Sequence, residues 1–161
     1  MNKIIYTNIY NNLIILTRNK KLYCEITKSD TFSDRLIVLL FHFAFILKVH
    51  KNKESKQVLQ NMYDTFFNEI ELSIREIGYG DMSINKSMKD YINIFHNILE
   101  KIDQWENLES GEKNKIFNNF LCINLTNDTL FDNMSNYFDK YLNYLKNNTF
   151  NSLSKELISA L

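Results

Sequence analysis

The sequence predicts an all-α fold, and three of its features predict it. The 161 residues contain no proline and only three glycines, so little interrupts a helix. Apolar residues return at three- and four-residue intervals in one segment after another. Hydroxyl or acidic residues that can cap a helix stand in front of several of these segments. Together they predict a single helical bundle of six to seven helices over residues 1–161, with no significant sheet.

Ile5, Ile9, Leu13 and Leu16 predict a first amphipathic helix to about Thr17, ended by the polar run Arg18-Asn19-Lys20-Lys21. Leu22, Cys24 and Ile26 alternate with Tyr23 and Glu25, which is a strand pattern. A lone short strand has no partner here, so an extended connector is expected. Thr31, followed three places later by Asp34, has capping-box spacing and should open the next helix. That helix runs to about Val49 and holds the most apolar stretch of the chain, Leu36–Leu47, broken only by His42. A bilayer takes about 20 residues to span. The stretch therefore reads as a buried central helix, with Val38, Phe41 and Phe45 inside and His42 bonded to a polar partner.

Lys48–Lys56 reads as an exposed polar loop, from which Glu54 or Ser55 starts the third helix. Its apolar positions are Val58, Leu59, Met62, Tyr63, Phe66, Phe67, Ile70 and Ile74. The fourth helix, from about Ser83 to Trp105, repeats Ile84, Met88, Tyr91, Ile92, Phe95, Ile98, Leu99 and Ile102. Between the two lies Ile77-Gly78-Tyr79-Gly80-Asp81, which holds two of the three glycines. Gly78 is expected at positive φ just past a helix end, and Gly80 as a second permissive position. Asp81 or Ser83 is expected to accept from the free N–H groups of the next helix. Arg75 is one turn from Glu71 and placed to pair with it. Glu106–Lys115, with Gly111, reads as a polar break. A short helical face follows at Ile116, Phe117, Phe120 and Leu121, then a turn at Thr126-Asn127-Asp128. Leu130, Met134, Tyr137, Phe138, Tyr141, Leu142 and Leu145 predict one more helix, ended by Asn147-Asn148-Thr149. Leu153, Leu157 and Leu161 suggest a last half-formed one.

Nineteen acidic and nineteen basic side chains cancel, which removes the electrostatic footprint of a dedicated DNA-binding protein. Cys24 and Cys122 form no metal motif and are too few for a disulfide framework, so free thiols in a reducing compartment are expected. The N-terminus carries no recognisable targeting pattern. His42, His50 and His96 stand in no H-E-x-x-H or Glu-x-x-His arrangement, and the glycine corner lacks the Lys-Ser/Thr pair of a phosphate loop. No catalytic residue, metal or cofactor is therefore expected.

The run Arg75-Glu76-Ile77-Gly78-Tyr79-Gly80-Asp81-Met82-Ser83-Ile84, followed by Lys86, Met88 and Lys89, resembles the signature of the ubiquinol–cytochrome c chaperone family, in the form of its bacterial members. Leu22-Tyr23, Asp30-Thr31, Arg35 and His42 resemble the family's approach to its core helix. The resemblance is strongest over residues 6–99 and weaker over the C-terminal helices, 106–161. It departs at Phe95-His96-Asn97, where the family carries an aromatic-Gly-Arg, at Asp34 in place of a glycine, and at Lys48-Val49-His50-Lys51, where the family is arginine-rich.

The resemblance implies a non-enzymatic assembly factor. Such a factor binds newly made cytochrome b and assists biogenesis of the bc1 complex, with the ribosome or a small partner assembly factor among its contacts. It implies a cytoplasmic protein at the inner face of the inner membrane in a bacterium, or a matrix protein in a mitochondrion. Peripheral membrane association is allowed and no transmembrane segment is expected. Arg75, Glu76, Gly78, Gly80, Asp81, Lys86 and Lys89 become the expected partner-binding set, with Thr31, Asp34 and His42 structural. Two other readings fit the residues: a generic helical interaction domain with a purely structural corner, and a small haem-handling protein using His42 or His96.

Overall fold

A computed structural model of the chain describes residues 2–20, 22, 31–78, 80–121 and 128–157, with the backbone alone at 128–131. Among the described residues there are seven α-helices and no strand. They are α1 (Lys3–Thr17), α2 (Phe32–His50), α3 (Lys56–Glu76), α4 (Asp81–Ile102), α5 (Ser110–Phe120), α6 (Asp128–Lys146) and α7 (Phe150–Lys155), with a 3₁₀ turn at Trp105–Asn107. No helix among the described residues is long and apolar enough to cross a membrane. Cys24, Tyr79, Cys122, Thr126, Asn127 and Leu161 lie outside the described residues.

Several of the helices begin where a side chain can satisfy an open N–H group. Asn2 accepts from the Ile4 N–H, Ser55 from Val58 and Thr149 from Ser152. Thr31 accepts from the Asp34 N–H at 3.2 Å, and its hydroxyl donates to the Asp34 carboxylate at 2.7 Å. Thr31 and Asp34 thus open α2 as the spacing predicts.

The core is built around α2, which is apolar on every side, with each residue from Leu36 to Ile46 buried. Phe43 stacks on Phe66 of α3, with ring centroids 3.7 Å apart, and on Phe95 of α4 at 5.3 Å. Phe41 and Phe45, one turn apart on the other face, meet Phe117 of α5 and Phe138 of α6 at 5.2 and 4.9 Å. One helix therefore supplies aromatic contacts to both halves of the bundle, and such pairs contribute beyond their burial. His42 is fully buried in this helix. Its Nδ1 lies 2.7 Å from the Val38 carbonyl and its Nε2 2.7 Å from the Tyr137 hydroxyl. The carbonyl can only accept, so Nδ1 carries the proton and Tyr137 donates to Nε2.

Four boundaries differ from the sequence reading. At Leu22 the N–H donates to Asn19 O at 3.0 Å and the backbone is helical rather than extended, and the rest of the expected connector, 23–26, lies outside the described residues. Lys48–His50 are helical rather than loop, because His50 is buried between two carbonyls, Ile46 O at 2.9 Å and Asn148 O at 3.0 Å. Trp105 is not the end of α4. It turns inward on the 3₁₀ turn, is fully buried, and donates to Asp139 at 2.8 Å. The polar break ends at Glu109: Glu112 reaches back to the Glu109 N–H at 2.9 Å, so Ser110–Lys115, with Gly111, are already α5. Asn12 of α1 donates to the Leu153 and Ser154 carbonyls at 2.9 and 3.1 Å and holds α7 in place.

Candidate functional site

The corner between α3 and α4 gathers most of the sequence-predicted site residues. Ile74 and Arg75 carbonyls, left open at the end of α3, accept from Ile77 and Gly78 N–H at 3.2 and 3.0 Å. The chain then turns through Gly78 at φ 97°. A Cβ built there would meet nothing within 4 Å, so the demand for glycine is one of backbone conformation alone. Gly80 is different. It is the N-cap of α4 with φ −70° and ψ 156°, a conformation open to any residue, and a Cβ there also meets open space.

The capping expectation for Asp81 and Ser83 is not met. Helix α4 begins at Asp81 itself, and Gly80 offers no side-chain cap. Asp81 is occupied across the turn, accepting from Arg75 at 2.8 Å. Arg75 also donates to Glu71 at 2.8 and 3.2 Å, as expected from their spacing. One guanidinium therefore ties the last turn of α3 to the first residue of α4. The Glu71 and Asp81 hydrogen bonds, in that order, hold it further into its charged form. Arg75 and Asp81 are exposed and Glu71 half-buried, so the clamp adds orientation more than stability.

The remaining members of the set face solvent. Glu76, Lys86 and Lys89 are exposed and make no ion pair among the described residues. Thr31, Asp34 and His42 lie elsewhere, at the start of α2 and in the core. The corner also displays apolar side chains that sequence reasoning missed: Met82 is 89% exposed, and Leu72 and Ile77 54% each. The signal was present for two of them. Leu72 and Met82 sit two residues from Ile70 and Ile84, which puts them on the face opposite the buried stripe.

A second feature lies at the far end of the same hairpin, about 24 Å away along α3 at 1.5 Å per residue from Leu59 to Arg75. Two adjoining hollows of about 500 and 320 Å³ share Leu47 and Leu59 and form one groove over the end of α2. Tyr63 and Leu99 extend its apolar floor. The Tyr63 hydroxyl lies 3.1 Å from His96 Nε2, and Lys51 pairs with Asp103 at 2.7 Å on the rim. His96 and His42 are thus engaged with tyrosines, in different parts of the fold. No cluster of three or more potential metal ligands occurs among the described residues.

A family model described as "Ubiquinol-cytochrome C chaperone" matches residues 25–150. The match takes in α2, the corner and the helices as far as α6, so it reaches beyond the segment whose motifs carry the resemblance. Neither the curated proteins nor the solved structures give a match.

Proposed function

The chain belongs to the ubiquinol–cytochrome c chaperone family, and on that ground we propose that it is a non-enzymatic assembly chaperone that binds newly made cytochrome b during biogenesis of the bc1 complex. The observation that carries the reading to a place on the molecule is the corner. Glu76, Lys86 and Lys89 stand there as unpaired charges beside three exposed apolar side chains, Leu72, Ile77 and Met82. A client emerging as an apolar membrane segment with polar flanks matches both parts of such a surface. The Arg75 clamp fixes the angle at which α3 and α4 present it. Gly78 makes the turn possible, and Gly80 leaves the backbone bare where the partner approaches. The groove over Leu47, Leu59, Tyr63 and Leu99 offers a second apolar contact for the same extended client, by helix-in-groove docking. The protein would act in the cytoplasm at the inner face of the membrane, or in the matrix of a mitochondrion.

The test is complementation in cells lacking the chain. Asp81→Ala with Lys86→Ala changes exposed groups only and should leave the melting temperature close to the parent's. It should lower the spectroscopically measured content of assembled bc1. In vitro, the binding deficit should narrow as salt rises, because charged rim groups act mainly through association and are screened. Parent-like bc1 content with the double variant would sink the assignment of the corner.

A further inference from the structure

Methionine is an apolar side chain that peroxide converts into a polar one, and its exposure differs sharply along this chain. Met62, Met88 and Met134 belong to the core, at 0, 9 and 1% exposed. Met82, the second residue of α4, is 89% exposed. Met1 lies outside the described residues. Met82 is also the most exposed large apolar side chain among the described residues. Its apolar neighbours at the corner, Leu72 and Ile77, are 54% exposed each and inert to peroxide.

Oxidation of a thioether needs contact between the sulfur and the oxidant. The sulfur lone pair attacks one peroxide oxygen, the O–O bond breaks, an S–O bond forms and the other oxygen leaves as water. Sulfur loses two electrons and the peroxide gains them. The sulfoxide is polar, and thiol-dependent reductases return it to the thioether, with its oxygen leaving as water. Three of the four described methionines keep their sulfur out of solvent, so accessibility alone selects Met82. We propose that Met82 is a site of reversible oxidation by peroxide, and that its sulfoxide switches off the apolar part of the corner. The oxidation follows from exposure, whereas its effect on a client rests on the proposed function of the corner. An unbranched thioether adapts to varied apolar partners. The sulfoxide carries a strong acceptor into the same contact, where an apolar segment offers it no donor.

Brief treatment of the full chain with hydrogen peroxide, followed by peptide mass mapping, tests the site. Met82 should gain one oxygen at least about tenfold faster than Met62, Met88 or Met134. The melting temperature should stay unchanged, because the group is exposed. Equal rates at Met82 and Met88 would overturn the site. Recovery of pulse-labelled cytochrome b then tests the switch, each protein being compared with its own untreated sample. Oxidation should lower the parent's recovery about tenfold, and methionine sulfoxide reductase should restore it. Met82→Leu, which has no sulfur at that place, should lose nothing on treatment. A loss of the parent's size in Met82→Leu, or parent recovery unmoved by oxidation at Met82, would overturn the switch. No recovery by the untreated parent would instead overturn the client reading and the switch with it, while the peptide map would still decide the site.

Discussion

Gly78 and Gly80 look equivalent in the sequence and differ in what the fold requires of them. Gly78 sits at φ 97°, where an L side chain is strained whatever space surrounds it. Gly80 sits in ordinary extended backbone at a helix N-cap, where serine is the better residue. The same substitution should therefore have opposite effects at the two positions. Gly78→Ser should cost about 1–2 kcal/mol, lowering the melting temperature by about 2–4 °C per kcal/mol in a chain of this size. Gly80→Ser should leave the melting temperature unchanged or raise it slightly, by adding the missing cap. Thermal denaturation of the pair decides the point, and equal losses at both sites would show that the backbone roles are misassigned. Loss of chaperone function in a stable Gly80→Ser protein would then belong to a partner contact. Gly78 was legible because a helix stop needs a left-handed residue. Gly80 was misread as needing special backbone freedom, because spacing shows where a glycine stands and not which φ it adopts.

At the scale of elements, α2 joins the two halves of the bundle through its aromatic side chains and through His42. Burial lowers the pKa of His42 to about 4, only partly opposed by its bond to the Val38 carbonyl. The direction fixes the pH dependence. The folded state keeps His42 neutral while the unfolded chain takes up a proton at the ordinary histidine value of 6.5. The stability it supports is thus complete above pH 6.5 and is lost as pH falls from 6.5 towards 4. By linkage the full loss is about 3 kcal/mol. Urea unfolding at pH 7, 6 and 5 should show this decline, and His42→Gln, which cannot take up a proton in this range but keeps a side-chain acceptor for the Tyr137 hydroxyl, should flatten it. A His42→Gln protein with the parent's slope would contradict the assignment. The helices themselves were readable from their period, since each buries one face. The period says nothing of partners, so the inward turn of Trp105 onto Asp139 and the burial of His50 between Ile46 and Asn148 carbonyls were not. Both depend on residues far away in the chain.

For the molecule as a whole, the fold class and the corner were visible early because helical period, capping and turn chemistry are all local. The surface around the corner was less visible. Met82 and Leu72 follow from their phase against the buried stripes, but the pairing of Arg75 with Asp81 forms only once the turn has closed. The groove over Leu47 and Leu59 needs three helices in place before it exists. In the function proposed above, this corner, with its apolar and charged parts together, receives newly made cytochrome b. The most direct measurement is recovery of pulse-labelled cytochrome b on the purified chain, comparing the parent with Ile77→Lys combined with Met82→Glu. Both substitutions place the charge favoured at their helix end, so folding should be preserved. The account predicts that the parent recovers labelled cytochrome b and that the variant, with an unchanged circular dichroism spectrum and melting temperature, recovers several-fold less. Equal recovery by the folded variant would contradict it.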